Sequence, residues 1–112
     1  MPSMSIGIDI VSIEHFQRSL SAGGQSFIND HFSPQEIVNK SNAHLAGIFA
    51  AKEALMKTGY VKVANYLAVK IINSVTGKPV VYDSEGNEIA DLEISISHTD
   101  TTAVAVAIWV TL

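Results

Sequence analysis

The segment from Ala43 to Thr58 constrains the fold most, because its ends and its apolar face all predict one long helix. Ser41 or Asn42 can cap the first turn, and Gly59 is a typical helix stop. At about 100° per residue, five apolar side chains share one face of this helix. They are Leu45, Ile48, Phe49, Leu55 and Met56. Such a stripe must pack against another element of the structure.

The segment before this helix predicts one strand and two further helices. An apolar, isoleucine-rich run at Met4–Val11 indicates a buried first strand. Apolar residues at helical spacing follow from Ile13, and Gly23–Gly24 predicts the end of that helix. The run Ser33–Glu36 is a helix start, with a capping serine, a proline in the first turn and a glutamate that can close a capping box. A short helix should continue from it to about Lys40.

The second half of the chain has the composition of strands separated by turns. Turn residues occur at Thr76–Pro79 and Asp83–Asn87. The predicted strands are Leu67–Asn73, Val80–Tyr82, Leu92–Ser97 and Thr102–Thr111. We therefore predict a single α+β domain over residues 1–112, with an N-terminal strand and helices followed by an antiparallel β-meander.

Four polar residues lie where an ordinary core would not place them. Asp9 is inside the apolar first strand, where it either caps the following helix or needs another partner. Lys52 falls within the apolar stripe of the long helix, where a lysine can extend its ammonium to solvent. Glu53 can form a surface pair with Lys57. His98 ends a predicted strand, a position compatible with either a structural or a functional role.

The same residues are also compatible with a metal and phosphate site. Mg²⁺ in proteins usually takes one or two carboxylates together with waters and substrate phosphates. Asp9 and Glu53 could supply the carboxylates, and Lys57, one helical turn beyond Glu53, could reach the same phosphates. The spacing alone does not establish that the two acids meet.

The composition excludes several other classes of protein. The net charge of −4 argues against non-specific nucleic-acid binding, which depends on Lys and Arg neutralising phosphates. The chain has no cysteine, so neither a disulfide framework nor a thiolate metal site can form, which agrees with a cytoplasmic location. We expect neither a signal peptide nor a membrane span. Only 16% of residues are charged, as expected of a chain that covers part of its surface in an oligomer.

Four motifs resemble those of the holo-acyl-carrier-protein synthases, a family of 4′-phosphopantetheinyl transferases. The run Gly7–Val11 resembles the opening motif of the family, and Phe49–Ala54, extended to Lys57, resembles its signature helix. Gly77–Pro79 and Ser95–His98 match two later motifs. All four occur in the order of the family and near its spacing, and together they cover essentially the whole chain.

This resemblance implies an enzyme that moves the phosphopantetheine arm of coenzyme A onto a serine of an acyl or peptidyl carrier protein, releasing 3′,5′-ADP. It implies an α+β fold and a homotrimer with active sites at subunit boundaries. By resemblance, Asp9 and Glu53 would bind Mg²⁺, and Lys57 would contact substrate phosphates. Lys52 would lie beside the reaction centre. Gly77, Lys78 and Pro79 would line the nucleotide side of the site, and His98 would border coenzyme A.

The resemblance leaves the proton acceptor and the carrier open. Glu53, a neutral Lys52 or a water on the metal could take the proton of the attacking serine. Family members usually carry an arginine where this chain has Ile48, and their first helix is more basic than the segment around Arg18. The alternative function is therefore a non-catalytic homologue that keeps the fold and binds coenzyme A. An unrelated phosphohydrolase is disfavoured, because the sequence contains no second cluster of acids or histidines.

Overall fold

The computed structural model describes all 112 residues and confirms the α+β class. Three α-helices, one 3₁₀ turn and five strands follow one another along the chain. In order they are β1 (Ser3–Ser12), α1 (Ile13–His31), α2 (Pro34–Ile37), α3 (Asn42–Thr58), the 3₁₀ turn (Tyr66–Ala68), β2 (Val69–Asn73), β3 (Pro79–Asp83), β4 (Leu92–His98) and β5 (Thr102–Thr111).

The strands form two antiparallel sheets where the sequence predicted one continuous meander. One sheet has the order β1-β5-β4, and β2 pairs with β3 in a separate hairpin. The break follows Asp83, whose carboxylate accepts hydrogen bonds from the backbone N–H groups of Glu85 and Asn87 and closes a tight turn. Beyond it the chain adds only one bridge, Tyr82 to Glu88, before it leaves for β4.

Helix α3 has the predicted boundaries and is more buried than its stripe suggested. The Ser41 hydroxyl accepts from the backbone N–H of His44, and Gly59 ends the helix in the left-handed region at φ 87°. Alanines on the faces outside the stripe are also buried, at positions 46, 50, 51 and 54. Their small side chains let the helix pack closely against its neighbours, so α3 is the centre of a single cluster of buried apolar residues.

The prediction of a buried first strand is correct for only one of its two faces. Gly7 and Asp9 point inward, towards α3. The alternate side chains point outward and are between 57% and 70% exposed. They belong to Met4, Ile6, Ile8 and Ile10. An apolar run therefore does not distinguish a strand buried on both faces from one whose outer face is apolar but uncovered.

Helix α1 breaks at the predicted glycines but resumes beyond them. Gly24 adopts φ 56° and ψ −136°, which interrupts the helix, and a second helical segment then continues to His31. The sequence prediction missed this second segment. The second segment brings Phe27 to within 5.8 Å of Phe16, measured between ring centroids. Aromatic packing therefore stabilises the second segment against the first.

The most deeply buried charges are those of Lys52 and Glu36. The Lys52 Nζ lies 2.8 Å from Glu36 Oε1 and also donates to the carbonyl of His31. Both side chains are 0% exposed. The Glu36 carboxylate accepts two more hydrogen bonds, from the backbone N–H groups of Ser33 and Ile71. The pair thus joins α2, α3 and β2 in the interior.

This pair corrects one expectation for Lys52. Its ammonium does not extend to solvent and is enclosed with Glu36. Burial lowers the pKa of Lys52, and the adjacent Glu36 charge opposes that effect. The capping role predicted for Glu36 is confirmed by its bond to the Ser33 backbone, but no sequence pattern predicted that its charge would pair with Lys52.

We predict that Lys52→Met lowers the free energy of unfolding by about 3–5 kcal/mol, because it leaves the Glu36 carboxylate buried without its counter-charge. Urea denaturation followed by circular dichroism measures the change. The exposed pair of Lys78 and Glu93 provides the control, since Lys78→Met should cost at most about 1 kcal/mol. Adding Glu36→Gln to Lys52→Met should recover part of the loss. Equal stability of the Lys52→Met and Lys78→Met variants would contradict a structural role for the buried pair.

Candidate active site

Strand β1 and the last turn of α3 meet at Gly7. A Cβ atom at this position would lie 2.0 Å from the carbonyl oxygen of Ala54 and 3.0 Å from the Cβ of Lys57. No larger residue fits there without a shift of the backbone. Because side chains alternate along a strand, Asp9 points to the same side as Gly7 and faces α3. The close approach therefore places Asp9 beside the C-terminal half of the helix.

Lys57 binds to this part of β1. Its Nζ donates to the backbone carbonyl of Ile8 at 2.9 Å and to Asp9 Oδ1 at 3.3 Å. The Asp9 side chain is 19% exposed and that of Lys57 is 57% exposed, so the pair lies at the surface end of the strand–helix contact. The surface pair of Lys57 with Glu53, considered as an alternative from the sequence, does not form: the salt bridge of Lys57 is to Asp9.

Glu53, one helical turn before Lys57, is held by Tyr66. The Tyr66 hydroxyl donates to Glu53 Oε1 from the 3₁₀ turn that follows α3. Burial, the hydrogen bond to Glu53 and the negative charges of Glu53 and Asp9 all raise the pKa of Tyr66. The hydroxyl therefore stays protonated and remains a donor at neutral pH. Glu53 and Lys57 are four residues apart on α3, so the salt bridge of Lys57 to Asp9 puts Asp9 and Glu53 on the same side of this helix.

The two carboxylates are suited to a divalent cation that needs few protein ligands. Asp9 Oδ1 and Glu53 Oε1 have hydrogen-bond partners, whereas no protein group donates to Asp9 Oδ2 or Glu53 Oε2. The structure contains no group of three or more His, Cys, Asp or Glu side chains that could hold a metal ion by themselves. Two carboxylates with open oxygens fit Mg²⁺, which keeps several waters and takes substrate phosphates as ligands.

A small cleft of about 140 Å³ gathers residues from the two later motifs. It is lined by Gly77 from the β2–β3 turn, by Pro79 from the start of β3 and by His98 from the end of β4. His44, Asn73, Ala43 and Ile96 complete the lining. Burial and the nearby charges of Lys40 and His98 lower the pKa of His44. The cleft thus combines an apolar wall with imidazole and amide groups that can hydrogen-bond a polar ligand.

Two predicted site residues lie outside both of these regions. Lys78 is exposed next to the cleft-lining turn, and its Nζ lies 3.1 Å from Glu93 Oε2. Lys52 is in the interior, bonded to Glu36. A larger cleft of about 500 Å³ lies between α1, α2 and β2, and none of the predicted site residues lines it.

The sequence prediction missed Tyr66 and His44. Tyr66 lies in the loop between α3 and β2, where neither periodicity nor a motif indicates a contact with Glu53. His44 is in the first turn of α3, and its position after the capping Ser41 suggested only a helix start. Both residues become apparent only when the loop and the β2–β3 hairpin fold back on α3.

Membrane insertion through a helix has no support, since none of the helices combines the length and the hydropathy that a bilayer span requires. The cytoplasmic location stays a prediction.

Comparison with known proteins relates the whole chain to one family. Residues 5–108 match the 4′-phosphopantetheinyl transferase superfamily. A holo-[acyl-carrier-protein] synthase of Protochlamydia amoebophila is 39% identical over 96% of this chain and 98% of its own length. A homologue from Chlorobium limicola with the same name is 37% identical over 94% of this chain and 92% of its own length.

Solved structures give the same result for the fold. The holo-[acyl-carrier-protein] synthase of Helicobacter pylori, in complex with coenzyme A, superposes with a TM-score of 0.78 at 32% identity and covers 95% of this chain and 99% of its own. The holo-(acyl-carrier-protein) synthase of Bacillus anthracis, in complex with CoA (3′,5′-ADP), superposes with a TM-score of 0.79 at 26% identity. The match covers 98% of this chain and 100% of the Bacillus anthracis chain. The match in sequence, length and fold places this chain in the 4′-phosphopantetheinyl transferase superfamily.

Proposed function

We propose that this chain transfers the 4′-phosphopantetheine arm of coenzyme A to a serine of an apo acyl or peptidyl carrier protein, with release of 3′,5′-ADP and a requirement for Mg²⁺. The observation that carries the proposal is the convergence of Asp9, Glu53 and Lys57 where β1 packs on α3. The relatives named holo-[acyl-carrier-protein] synthase, and the coenzyme A bound in the Helicobacter pylori structure, support this choice of substrate.

In this proposal Asp9 and Glu53 hold the cation through the carboxylate oxygens that no protein group occupies. When bound, Mg²⁺ would neutralise the charge that develops on the pyrophosphate oxygens during phosphoryl transfer. Lys57 is proposed to contact the phosphates. Its side chain is more than half exposed, so the ammonium can turn from Asp9 to an incoming anion without being withdrawn from the interior.

Glu53 is the residue we propose as acceptor of the serine proton, since its carboxylate is only partly buried and Oε1, which takes no cation in this proposal, has a second lone pair besides the one that accepts from Tyr66. Lys52 is left out of this step. Its ammonium has no exposed surface, and its hydrogen bonds go to Glu36 and to the His31 carbonyl. We propose instead that Lys52 supports catalysis indirectly, by fixing α3 on which Glu53 lies.

The nucleotide end of coenzyme A is proposed to occupy the cleft lined by Gly77, Pro79 and His98. Gly77 has φ 88°, a conformation that favours glycine, and the turn it forms is followed by Pro79, which lines the same cleft as His98. Lys78 borders the cleft from outside, where its charge can attract a phosphate even while it pairs with Glu93. His98 is given no proton-transfer role.

The exposed face of β1 supports the proposed homotrimer. Met4, Ile6, Ile8 and Ile10 form a row of apolar side chains that nothing in the single chain covers. The outward side chains of the neighbouring β5 are also apolar and only half-buried. A contiguous apolar face of this kind marks a protein interface. Because Asp9 lies on the same strand, such an interface would place the carboxylates near a subunit boundary.

We predict that Asp9→Asn and Glu53→Gln each lower transfer at least about 100-fold while the fold is kept, because each removes a charged metal ligand without changing the size of the side chain. The assay incubates the protein with coenzyme A, Mg²⁺ and a panel of apo-carrier proteins and detects the added arm by mass spectrometry. Glu85→Gln, at an exposed acid of the β3 turn, is the matched control. Normal turnover by either site variant would refute the metal assignment. Coenzyme A binding without transfer by the unaltered protein would support the non-catalytic alternative.

Lys57→Ala should raise the Kd for coenzyme A by about 10–100-fold, the effect of losing one hydrogen bond to a charged group. Isothermal titration calorimetry in the presence of Mg²⁺ measures this. Lys62→Ala removes an exposed lysine that forms no salt bridge and serves as the control. An unchanged affinity in the Lys57 variant would count against its role at the phosphates.

We expect Ile6→Lys to convert the trimer into monomers, because it places a charge in the centre of the apolar row on β1. Light scattering coupled to size exclusion gives the mass. Val75→Lys changes an apolar residue of the β2–β3 turn that is even more exposed than Ile6, and it should leave the mass as it is. A monomeric unaltered protein, or an Ile6→Lys variant that is still trimeric, would contradict the proposed interface.

A further inference from the structure

The ring of Tyr66 is held in place by packing, independently of the contacts of its hydroxyl. Its ring stacks on that of Phe49, with centroids 5.4 Å apart and planes inclined by 12°. The ring of His31 meets it edge-on at 4.5 Å. His31 is itself held by a 2.7 Å contact from its Nδ1 to the carbonyl of Phe27. Contacts from both α1 and α3 therefore determine where the Tyr66 hydroxyl points.

The hydroxyl reaches Glu53 because of the helical repeat. Phe49 and Glu53 are four residues apart on α3 and lie one above the other on the same face. A ring stacked on Phe49 therefore extends its hydroxyl along the helix axis towards Glu53, and the bond to Oε1 forms. Phenylalanine at this position could keep the stacking but not the bond.

The two carboxylates of the site are restrained by different kinds of group. Asp9 Oδ1 is paired with the ammonium of Lys57, a positive charge that a cation would repel. Glu53 Oε1 is bonded to a neutral hydroxyl, which is compatible with a cation on the other oxygen. A carboxylate with one oxygen already bonded is restrained to bind a cation through the remaining oxygen.

We propose that Tyr66 is a positioning residue that makes Glu53 a ligand through Oε2 alone and thereby favours Mg²⁺ over Ca²⁺. The inference rests on the proposed metal role of Glu53. Mg²⁺ requires near-ideal octahedral geometry, to which single carboxylate oxygens are suited, whereas Ca²⁺ accepts bidentate carboxylates and irregular shells. Groups that orient a metal ligand typically contribute 10–100-fold, as an order of magnitude, to metal affinity.

The test is Tyr66→Phe, which keeps the ring and removes only the hydroxyl. Binding of Mn²⁺ in the presence of coenzyme A is measured by electron paramagnetic resonance, and Mg²⁺ or Ca²⁺ is then added to displace it. We expect Mg²⁺ affinity to fall about 10-fold or more and Ca²⁺ affinity to fall less, so that the Mg²⁺-to-Ca²⁺ preference drops at least about threefold. The Mg²⁺ concentration that gives half-maximal transfer should rise by a similar factor.

Tyr60→Phe is the control, because Tyr60 packs edge-on against Trp109 and its hydroxyl has no hydrogen-bond partner. Urea denaturation of both variants tests whether the ring packing survives. Unchanged Mg²⁺ affinity in Tyr66→Phe, or an equal loss for Mg²⁺ and Ca²⁺, would overturn the inference while leaving the proposed function in place. A different outcome is that the unaltered protein transfers the arm but the Glu53→Gln variant binds Mn²⁺ as tightly as the unaltered protein does. In that case Glu53 is not a metal ligand, and the inference about Tyr66 is wrong as well.

Discussion

The absence of a side chain at Gly7 lets the carbonyl of Ala54 approach β1 so closely that no Cβ atom fits between them. The position of Asp9 in the carboxylate site follows from this approach. Because β1 touches α3 at Gly7, Asp9 two residues later faces the same helix, and Lys57 reaches both Asp9 and the backbone of Ile8. Glu53 is one helical turn before Lys57, so two acids that are 44 positions apart in the sequence lie on the same side of α3.

The sequence predicted a helix or strand well where residues close together in the chain determine its start and end. The cap at Ser41, the stop at Gly59 and the strand at Thr102–Thr111 are all present as expected, because caps, turns and alternation act over a few residues. The second segment of α1 and the division into two sheets were missed. Both depend on contacts between distant parts of the chain, such as Phe27 with Phe16, which no local pattern records.

The candidate site was predictable in its residue types but not in its connections. Motif resemblance selected Asp9, Glu53 and Lys57, and the structure brings these together. The resemblance could not identify the hydrogen-bond partner of each side chain, since a hydrogen bond depends on distances of a few tenths of an ångström. Lys57 pairs with Asp9 and not with Glu53, and Lys52 pairs with Glu36, a residue whose sequence context suggested only a helix cap.

Lys52 and Glu53 illustrate how adjacent residues on a helix acquire different tasks. Successive side chains point about 100° apart, so Lys52 enters the interior while Glu53 reaches the margin of the site. Burial of the Lys52 ammonium is tolerated only because Glu36 and the His31 carbonyl surround it, and the same His31 packs against Tyr66, the donor to Glu53. The interior pair and the surface carboxylate are therefore connected through one residue. A helix held rigidly by a buried charge pair can present its next residue in a single orientation, which a metal ligand requires.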